Sequence, residues 1–140
     1  MPTWEETQAY LRGRYRLVHV APTWVGMEWR VDSQGEPVPM RIKIERVTAF
    51  DEPWVMIGSA LCPADNVDAR SALRCNALTA MGALVVEGDR CYLRATLPLE
   101  ILTFKHLDRA IEFIATEATK LRQREANPGS VVPLFQSFSD

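Results

Sequence analysis

Residues 66–121 constrain the fold more than any other part of the chain, because two helical patterns of apolar residues flank a hairpin pattern there. The second helical pattern is the longest in the chain, and charged residues occupy its opposite side. Its apolar positions are Phe104, Leu107, Ala110, Ile111, Ile114, Ala118 and Leu121. Thr103 stands where it can accept a hydrogen bond from the first turn. The spacing predicts a long closing helix with one buried face.

The first helical pattern of this stretch is shorter and unusually rich in small residues. Asp65 or Asn66 can cap its first turn, and Gly82 can end it because glycine adopts positive φ without steric cost. The alanines that would let this helix lie close to a sheet are Ala69, Ala72, Ala77 and Ala80. Asn76 interrupts the apolar face, and a polar group there needs partners. We expect Asn76 to bond a strand-edge backbone group; the alternative is that it fixes the register of a dimer contact.

The hairpin pattern lies between these two helices. Residues 83–86 and 91–97 are rich in β-prone side chains, and a turn containing Gly88 and Asp89 separates them. In the second run, Cys91, Leu93, Ala95 and Leu97 alternate with Tyr92, Arg94 and Thr96. The pattern predicts an antiparallel pair of strands with one buried face and one face at least partly in water.

The residues before this stretch predict a helix followed by three strands, the third of them at residues 54–62. Thr3 and Glu6 have the spacing of a capping box, and the helix they open ends at Gly13. Residues 15–20 form a candidate short strand. Two clearer strands alternate apolar with polar residues, through Val25, Met27, Trp29 and Val31 and then through Met40, Ile42 and Ile44. We expect a loop at 32–37, and a bulge or an exit from the core where the alternation changes after Arg46.

Residues 54–62 are apolar at both parities, which distinguishes them from the other strands. A strand of that composition in an antiparallel sheet with helices on one side needs cover on the other side as well. The candidates for that cover are a second subunit, a client protein and the chain's own tail. The tail, residues 125–140, begins with the helix-breaking sequence NPGS at 127–130 and then supplies apolar anchors. We expect it to pack on its own domain, with a neighbouring subunit or a partner as the alternative.

Bulk properties exclude several classes of function. The 140 residues are enough for one domain with a buried core, so we place a single domain at 1–124 ahead of the tail. A net charge of −2 argues against a nucleic-acid or membrane-surface footprint. Cys62, Cys75 and Cys91 are widely spaced in apolar company, which indicates buried thiols in a reducing cytosol. No signal peptide or membrane-spanning run is visible, and we expect a cytoplasmic protein.

No motif in the sequence predicts catalysis or cofactor binding. His19 and His106 are isolated, and the chain has no paired Cys or His spacing typical of a zinc site. Residues 58–60 do not form a nucleophile elbow, and no glycine-rich loop leads into a phosphate cradle. The aromatic and methionine residues that could form a binding surface are Trp24, Met27, Trp29, Trp54, Met56 and Tyr92. We therefore expect no enzyme activity, no metal and no cofactor.

Several segments resemble the YbjN family and the related type III secretion chaperones. They are LRCNA at 73–77, GALV at 82–85 and LRATLPLEIL at 93–102, followed by Leu107 and Ile111. The resemblance implies a small acidic α+β domain, usually a homodimer, that offers apolar grooves to an extended segment of another protein. Neither branch is an enzyme family. The tail beyond the shared core and the tryptophans Trp24, Trp29 and Trp54 depart from the chaperone pattern, so we favour the YbjN-like branch.

Together these patterns predict an α+β domain in the order helix, three strands, helix, two strands, helix, with an antiparallel five-stranded sheet and helices on one face. We expect a non-enzymatic, chaperone-like or regulatory homodimer that binds a client segment. The alternatives are a structural dimer whose sheet face serves only self-association, and a dedicated type III secretion effector chaperone. The residues predicted to bind protein or to form the dimer are Trp54, Met56, Ile57, Asn76, Tyr92, Leu134, Phe135 and Phe138.

Overall fold

The computed structural model describes residues 2–33, 36–79 and 81–126, and describes the backbone alone at 31–33, 36–39 and 123–126. Across these residues the chain is an α+β fold with three helices and one open antiparallel sheet of six strands. The helices are α1 (Trp4–Arg14), α2 (Ala69–Leu78) and α3 (Phe104–Ala126). The strands are β1 (Leu17–Val20), β2 (Trp24–Ser33), β3 (Glu36–Ala49), β4 (Glu52–Pro63), β5 (Ala83–Glu87) and β6 (Arg90–Pro98), in the sheet order β1-β2-β3-β4-β6-β5.

The predicted class and the antiparallel pairing are confirmed, but the predicted strand count is wrong. Four strands precede α2 where three were expected. The additional strand is the candidate at 15–20, which pairs with β2, while β2 also pairs with β3. The pairing of β1 is irregular: Leu17 faces Met27, His19 faces Gly26, and the register shifts between them. Because the shift moves residues of β1 to the other face of the sheet, β1 lacks the regular alternation of apolar and polar residues by which a strand is recognised in a sequence.

The core lies between one face of the sheet and the helices α1 and α3. Along β4, Val55, Ile57, Ser59 and Leu61 are buried beneath the helices, while the residues between them are half-buried on the other face. The closing helix contributes the predicted stripe, because Leu107, Ala110, Ile111, Ile114, Ala118 and Leu121 are all buried. Phe104 is partly buried and stacks on Tyr10 of α1 with ring centroids 4.1 Å apart. The caps predicted at Thr3 and Thr103 are confirmed, since each side-chain oxygen accepts a backbone N–H of its helix.

A polar cluster joins α1 to α3 at the edge of this core. The hydroxyls of Tyr10 and Tyr15 each donate to a different carboxylate oxygen of Asp108, the Tyr15 bond being 2.5 Å long. Arg14 lies 3.6 Å from the same carboxylate through Nε. Burial and the Asp108 hydrogen bond raise the pKa of Tyr15, and the same hydrogen bond is the main cause that raises the pKa of Tyr10. Since none of these side chains lines the groove described below, the cluster serves to hold the two helices together.

The second helix departs from its predicted boundaries. Residues Ala64–Asn66 form a short 3-10 turn, so neither Asp65 nor Asn66 caps the helix. Asp68 does, by accepting the N–H of Ser71, and hydrogen bonds from Ser71 lower the pKa of Asp68. The helix ends at Leu78 rather than at Gly82. Gly82 nevertheless has the expected positive φ of 84°, because it turns the chain into β5 where a Cβ would lie 2.9 Å from the Arg94 carbonyl oxygen.

The hairpins are tighter than the sequence pattern indicates. The strands β2 and β3 pair as far as Ser33 and Glu36, so most of the loop expected at 32–37 belongs to the strands. The register of β3 with β4 is continuous from Lys43 to Ala49, so the bulge considered after Arg46 is absent from that pair and the strand leaves the core instead. Phe50 and Asp51 close this hairpin with φ of 54° and 59°, values that are uncommon outside glycine.

Among the described helices, none is both long enough and apolar enough to cross a membrane. The boundary predicted between domain and tail at 124–125 falls inside α3, which continues to Ala126. The remainder of the tail, residues 127–140, lies outside the described residues.

The helix-joining cluster makes stability depend on pH in the alkaline range. The pKa of Tyr15 is raised above its ordinary value of 10.0, so the folded protein holds the neutral phenol while the unfolded chain ionises. Its contribution is therefore complete below about pH 10 and is lost as the pH rises above that value. We expect the stability advantage of wild type over Tyr15→Phe to shrink by up to about 1.4 kcal/mol per pH unit above pH 10. Urea denaturation of both proteins between pH 8 and pH 11.5 measures this, and a constant difference would contradict it.

Candidate functional site

A groove of about 490 Å³ lies on the face of the sheet opposite α3. It crosses the middle strands, because its lining comes from β1, β2, β3, β4 and β6, with Glu87 of β5 at one side. The outward-facing residues of β4 that line it are Met56, Gly58 and Ala60, which are half-buried. This is the face that the sequence predicted to need cover, and within the described residues no helix lies in the groove lining.

Small residues form the floor of the groove. One row of register partners runs across the open face in the order His19, Gly26, Lys43, Gly58, Arg94, Ala83. Long and short side chains alternate along this row, so space remains above each glycine. A Cβ at Gly58 would meet only ordinary contacts, at 3.5 Å from the Leu93 carbonyl oxygen, whereas a Cβ at Gly26 would lie 3.3 Å from the Trp24 ring. Gly26 therefore allows Trp24 to lie close over the sheet, and Gly58 leaves the centre open.

Trp24 and His19 form the wall on the side of β1 and β2. Their rings stack with centroids 4.1 Å apart and an angle of 17° between the planes. The ammonium of Lys43 lies 4.9 Å from the centre of the Trp24 ring and 3.5 Å from the Glu45 carboxylate. The cation–π contact and the ion pair draw Lys43 toward this wall and away from Gly58.

Tyr92 and Arg94 of β6 form the opposite wall. Arg94 donates to the Glu87 carboxylate at 2.6 Å, and its guanidinium carbon lies 5.5 Å from the centre of the Tyr92 ring. The two walls therefore have the same construction, an aromatic ring beside a cation that is already paired with a carboxylate. Between them lies an apolar floor, which suits apolar side chains better than a reacting polar group.

Arg41 is the cation of the groove that has no ion pair among the side chains the structure describes. It sits on β3 two residues before Lys43, and it is exposed. Its backbone carbonyl accepts a hydrogen bond from Ser59 of β4 at 2.9 Å, which fixes the strand beneath it. An occupant of the groove could thus place one negative charge at Arg41 without displacing an existing partner.

The predicted protein-binding residues divide between the two faces of the sheet. Met56 and Tyr92 line the groove. Trp54 is half-buried on the same strand face, and its indole N–H donates to the Ala49 carbonyl at 3.2 Å. Ile57 was wrongly included: it is fully buried under the helices, because β4 alternates and its neighbours of opposite parity face outward. Of the wider aromatic and methionine set, Met27 is buried in the core and Trp29 packs against Tyr15.

Asn76 forms the predicted hydrogen bonds to the backbone of an edge strand. Its amide oxygen accepts the N–H of Leu84 at 2.6 Å, and its amide nitrogen donates to the carbonyl of the same residue at 3.2 Å. The bond to a backbone group of the edge strand β5 is thereby confirmed. Both functional atoms of the Asn76 side chain are engaged within the chain, so the residue ties α2 to the sheet.

The outer surface of α2 is apolar and exposed. Leu73 and Leu78 are 70% and 90% exposed, and α2 has no fully buried residue. The small face expected to lie on the sheet is only partly used: Ala72 and Cys75 pack against the core, while Ala69 and Ala77 are exposed. A helix held mainly by Asn76 and a few small contacts presents its larger apolar residues to water, a feature typical of interaction surfaces.

The remaining predictions concern the tail, the thiols and metal binding. Leu134, Phe135 and Phe138 lie outside the described residues. Cys62 and Cys91 are buried as predicted and face each other across the β4–β6 register, whereas Cys75 is only half-buried. Within the described residues, no three metal-binding side chains come together.

Sequence reasoning missed the groove residues that carry its shape and charge. Gly26, Gly58 and Arg41 have no motif, and their positions in one concave surface depend on the register of four strand pairings. One signal was available: Gly58 and Ala60 are small at every outward position in the middle of an otherwise bulky strand. Small residues in a strand interior often mark a close approach of another chain or ligand.

No protein-family model matches this chain, and a search of curated proteins finds no match either.

The Asn76 pair predicts a clear effect on stability. Asn76→Ala removes both partners of the Leu84 backbone groups, so we expect a loss of about 1–3 kcal/mol in the free energy of unfolding. Asn76→Asp should lose at least as much, because a carboxylate cannot donate to the Leu84 carbonyl. Thr79→Val is the matched control, since Thr79 bonds only within its own helix end. Chemical denaturation measures all three, and an Asn76→Ala change no larger than the control would contradict the assignment.

Proposed function

We propose that this chain is a non-enzymatic protein-binding module whose open-face groove holds an extended, largely apolar segment of another polypeptide. One observation carries the proposal: the central strand β4 presents Met56, Gly58 and Ala60 to a groove bounded by aromatic rings, although that strand face is apolar enough to need cover. Aromatic and methionine side chains around a small-residue floor suit the alternate side chains of an extended peptide.

Groove docking is favoured over strand addition by the shape of the sheet. The two edge strands, β1 and β5, are only 4 and 5 residues long, so either edge could pair with only a short segment. The groove instead spans the middle strands, where side-chain pockets can select the segment. In this mechanism the apolar side chains of the client fill the space over Gly58 and Ala60, and a carboxylate of the client meets Arg41.

The proposal extends to family, oligomer and compartment. The arrangement of a helix, a run of strands, a helix, a hairpin and a closing helix is compatible with the YbjN and type III secretion chaperone resemblance, and we propose the YbjN-like branch. Exposed Leu73 and Leu78 support a homodimer that buries the outer surface of α2. The compartment we propose is the cytoplasm, in keeping with the absence of a signal-peptide pattern in residues 1–15.

Filling the groove tests its role directly. Gly58→Val places a branched side chain on the floor, where the first added atom meets only ordinary contacts, so we expect the fold to be retained. The probe is a fluorescein-labelled ten-residue peptide in which Phe and Leu alternate with Ser and one residue is Asp. We expect Gly58→Val to weaken binding at least about tenfold, equivalent to about 1.4 kcal/mol, by fluorescence anisotropy.

The matched control for this experiment is Thr96→Val, which changes an exposed residue of the same sheet face outside the groove. Its affinity should equal that of the wild type. A second probe with Lys in place of Asp should bind more weakly, because it would meet Arg41 with the wrong charge. Equal affinity of wild type and Gly58→Val for the first probe would contradict the proposed groove.

The homodimer is tested on the outer surface of α2. We expect the wild-type chain to have twice the monomer mass by light scattering, and Leu73→Asp with Leu78→Asp to give a folded monomer, because buried unpaired carboxylates would break the contact. Phe50→Asp is the control, since Phe50 is an equally exposed apolar residue at a hairpin tip. A wild type of monomer mass would contradict the dimer, and it would leave the groove proposal in place.

A further inference from the structure

The β3–β4 hairpin projects beyond the strands on either side of it. The pairs with neighbouring strands that lie nearest its tip are Trp24 with Glu45 on one side and Trp54 with Pro98 on the other. Beyond these pairs, residues 48–53 pair only with each other among the described strands. Five of these six residues are exposed. The tip of the hairpin is therefore presented to other molecules.

An aromatic residue occupies this tip in a backbone conformation that does not suit it. Phe50 is 88% exposed, and φ is 54° at Phe50 and 59° at Asp51. Two consecutive positive φ values are typical of a two-residue type I′ turn, which favours Asn-Gly or Asp-Gly. A phenylalanine there strains the backbone and leaves an apolar ring in water. Because strained positions of this kind often serve binding, Phe50 points to a contact outside its own chain.

The chemistry of the tip is complementary to the open-face groove. Asp51 and Glu52 place two exposed carboxylates beside the ring, and residues 48–53 contain no Lys or Arg. The groove offers an apolar floor at Gly58 and, at Arg41, a cation with no ion pair among the described side chains. Its lining as a whole has three cations and two carboxylates. An apolar ring with adjacent negative charge therefore matches an apolar groove with an excess of positive charge.

The tip cannot reach the groove of its own chain. Phe50 lies seven residues beyond Lys43 on β3, which is about 24 Å along the strand. The hairpin is paired without interruption from Lys43 to Ala49, and the Trp54 indole N–H donates to the Ala49 carbonyl at 3.2 Å. A hairpin held in this way cannot fold back over its own sheet. The ring can enter such a groove only on another molecule.

From these observations we infer that Phe50 of one copy inserts into the open-face groove of a second copy, with its ring over the Gly58–Ala60 floor and Asp51 at Arg41. The inference rests on the groove of the proposed function and adds its regulation, because a client must displace the hairpin of another copy. The tip and the groove are different surfaces, so the contact joins copies head to tail. It buries little more than one side chain, and it forms at higher protein concentration than the α2 dimer.

Complementary variants of the full-length protein test this contact by NMR. Isotope-labelled Phe50→Asn keeps the groove and loses the ring, and asparagine tolerates positive φ, so we expect the hairpin to be retained. Unlabelled Gly58→Val keeps the ring and fills its own groove. Neither variant can form the contact with itself. Adding the unlabelled variant in excess should shift and broaden the amide signals of Arg41, Gly58 and Ala60 in the labelled one.

The matched control partner is unlabelled Gly58→Val with Phe50→Asn, which has the same α2 surface but no ring. It should leave the groove signals of the labelled protein unchanged. Groove signals that are the same with both partners would overturn the inference. Ring-dependent shifts confined to another surface, such as α2, would also overturn it, in favour of a different docking site.

Removing the charge of the tip tests the placement of its carboxylate. Asp51→Asn with Glu52→Gln, introduced into the ring-bearing Gly58→Val partner, keeps the shape of both side chains, and asparagine suits the positive φ at position 51. We expect the affinity in the same NMR titration to fall about threefold, because the pairing with Arg41 is lost. An unchanged affinity would overturn the assignment of Asp51 to Arg41.

Competition with the peptide probe separates this inference from the proposed function. The fluorescein-labelled peptide should reverse the ring-dependent shifts, because the peptide and the hairpin occupy the same groove. Peptide binding to the wild type without any ring-dependent shift would overturn the inference while the proposed function stands. Ring-dependent shifts in the groove, together with no binding of the peptide, would overturn the proposed client binding instead.

Discussion

The burial of one sheet face by α3 is the contact on which the rest of the structure depends. The apolar stripe of α3 is one helix face wide and covers the inner side of β4 and the neighbouring strands. Asp108 of α3 holds α1 beside it. A single layer of helices can cover only one side of a sheet. The outer side of β4 is therefore not covered by these helices. The groove on that side is a consequence of the same packing that stabilises the fold.

The two faces of the sheet differ in how their side chains are packed. The inner face is filled by branched aliphatic side chains and an alanine-rich helix stripe, whose close packing resists rearrangement. The outer face is organised by stacked rings and by cations paired with neighbouring carboxylates, at Trp24, Lys43, Tyr92 and Arg94. Long side chains of this kind can move without disturbing the core. Binding on the outer face need not cost stability on the inner one.

Periodicity in the sequence predicted the parts of the fold whose pattern is local. The stripe of α3, the capping box of α1 and the Gly88–Asp89 hairpin each follow from residues within one element. The errors occur where distant residues decide. The pairing of β1 with β2 added a strand. The start of α2 is an exception, because the cap at Asp68 in place of Asp65 or Asn66 is a local contact with Ser71. The groove was foreseen only as a strand face that needs cover, because its walls join residues far apart in the chain.

The glycines of the groove floor lower the stability of the sheet, and the fold itself does not require a glycine at each of these positions. Glycine within a strand loses more conformational entropy than alanine on folding, by roughly 0.5–1 kcal/mol, and contributes no side chain to packing. At Gly26 the close Trp24 ring explains the absence of a Cβ. At Gly58 no such neighbour exists, so a larger residue would fit and would favour the strand. A position where stability favours a side chain and the chain has none points to use of the empty space. This is the strongest physical reason to place the proposed binding site over Gly58.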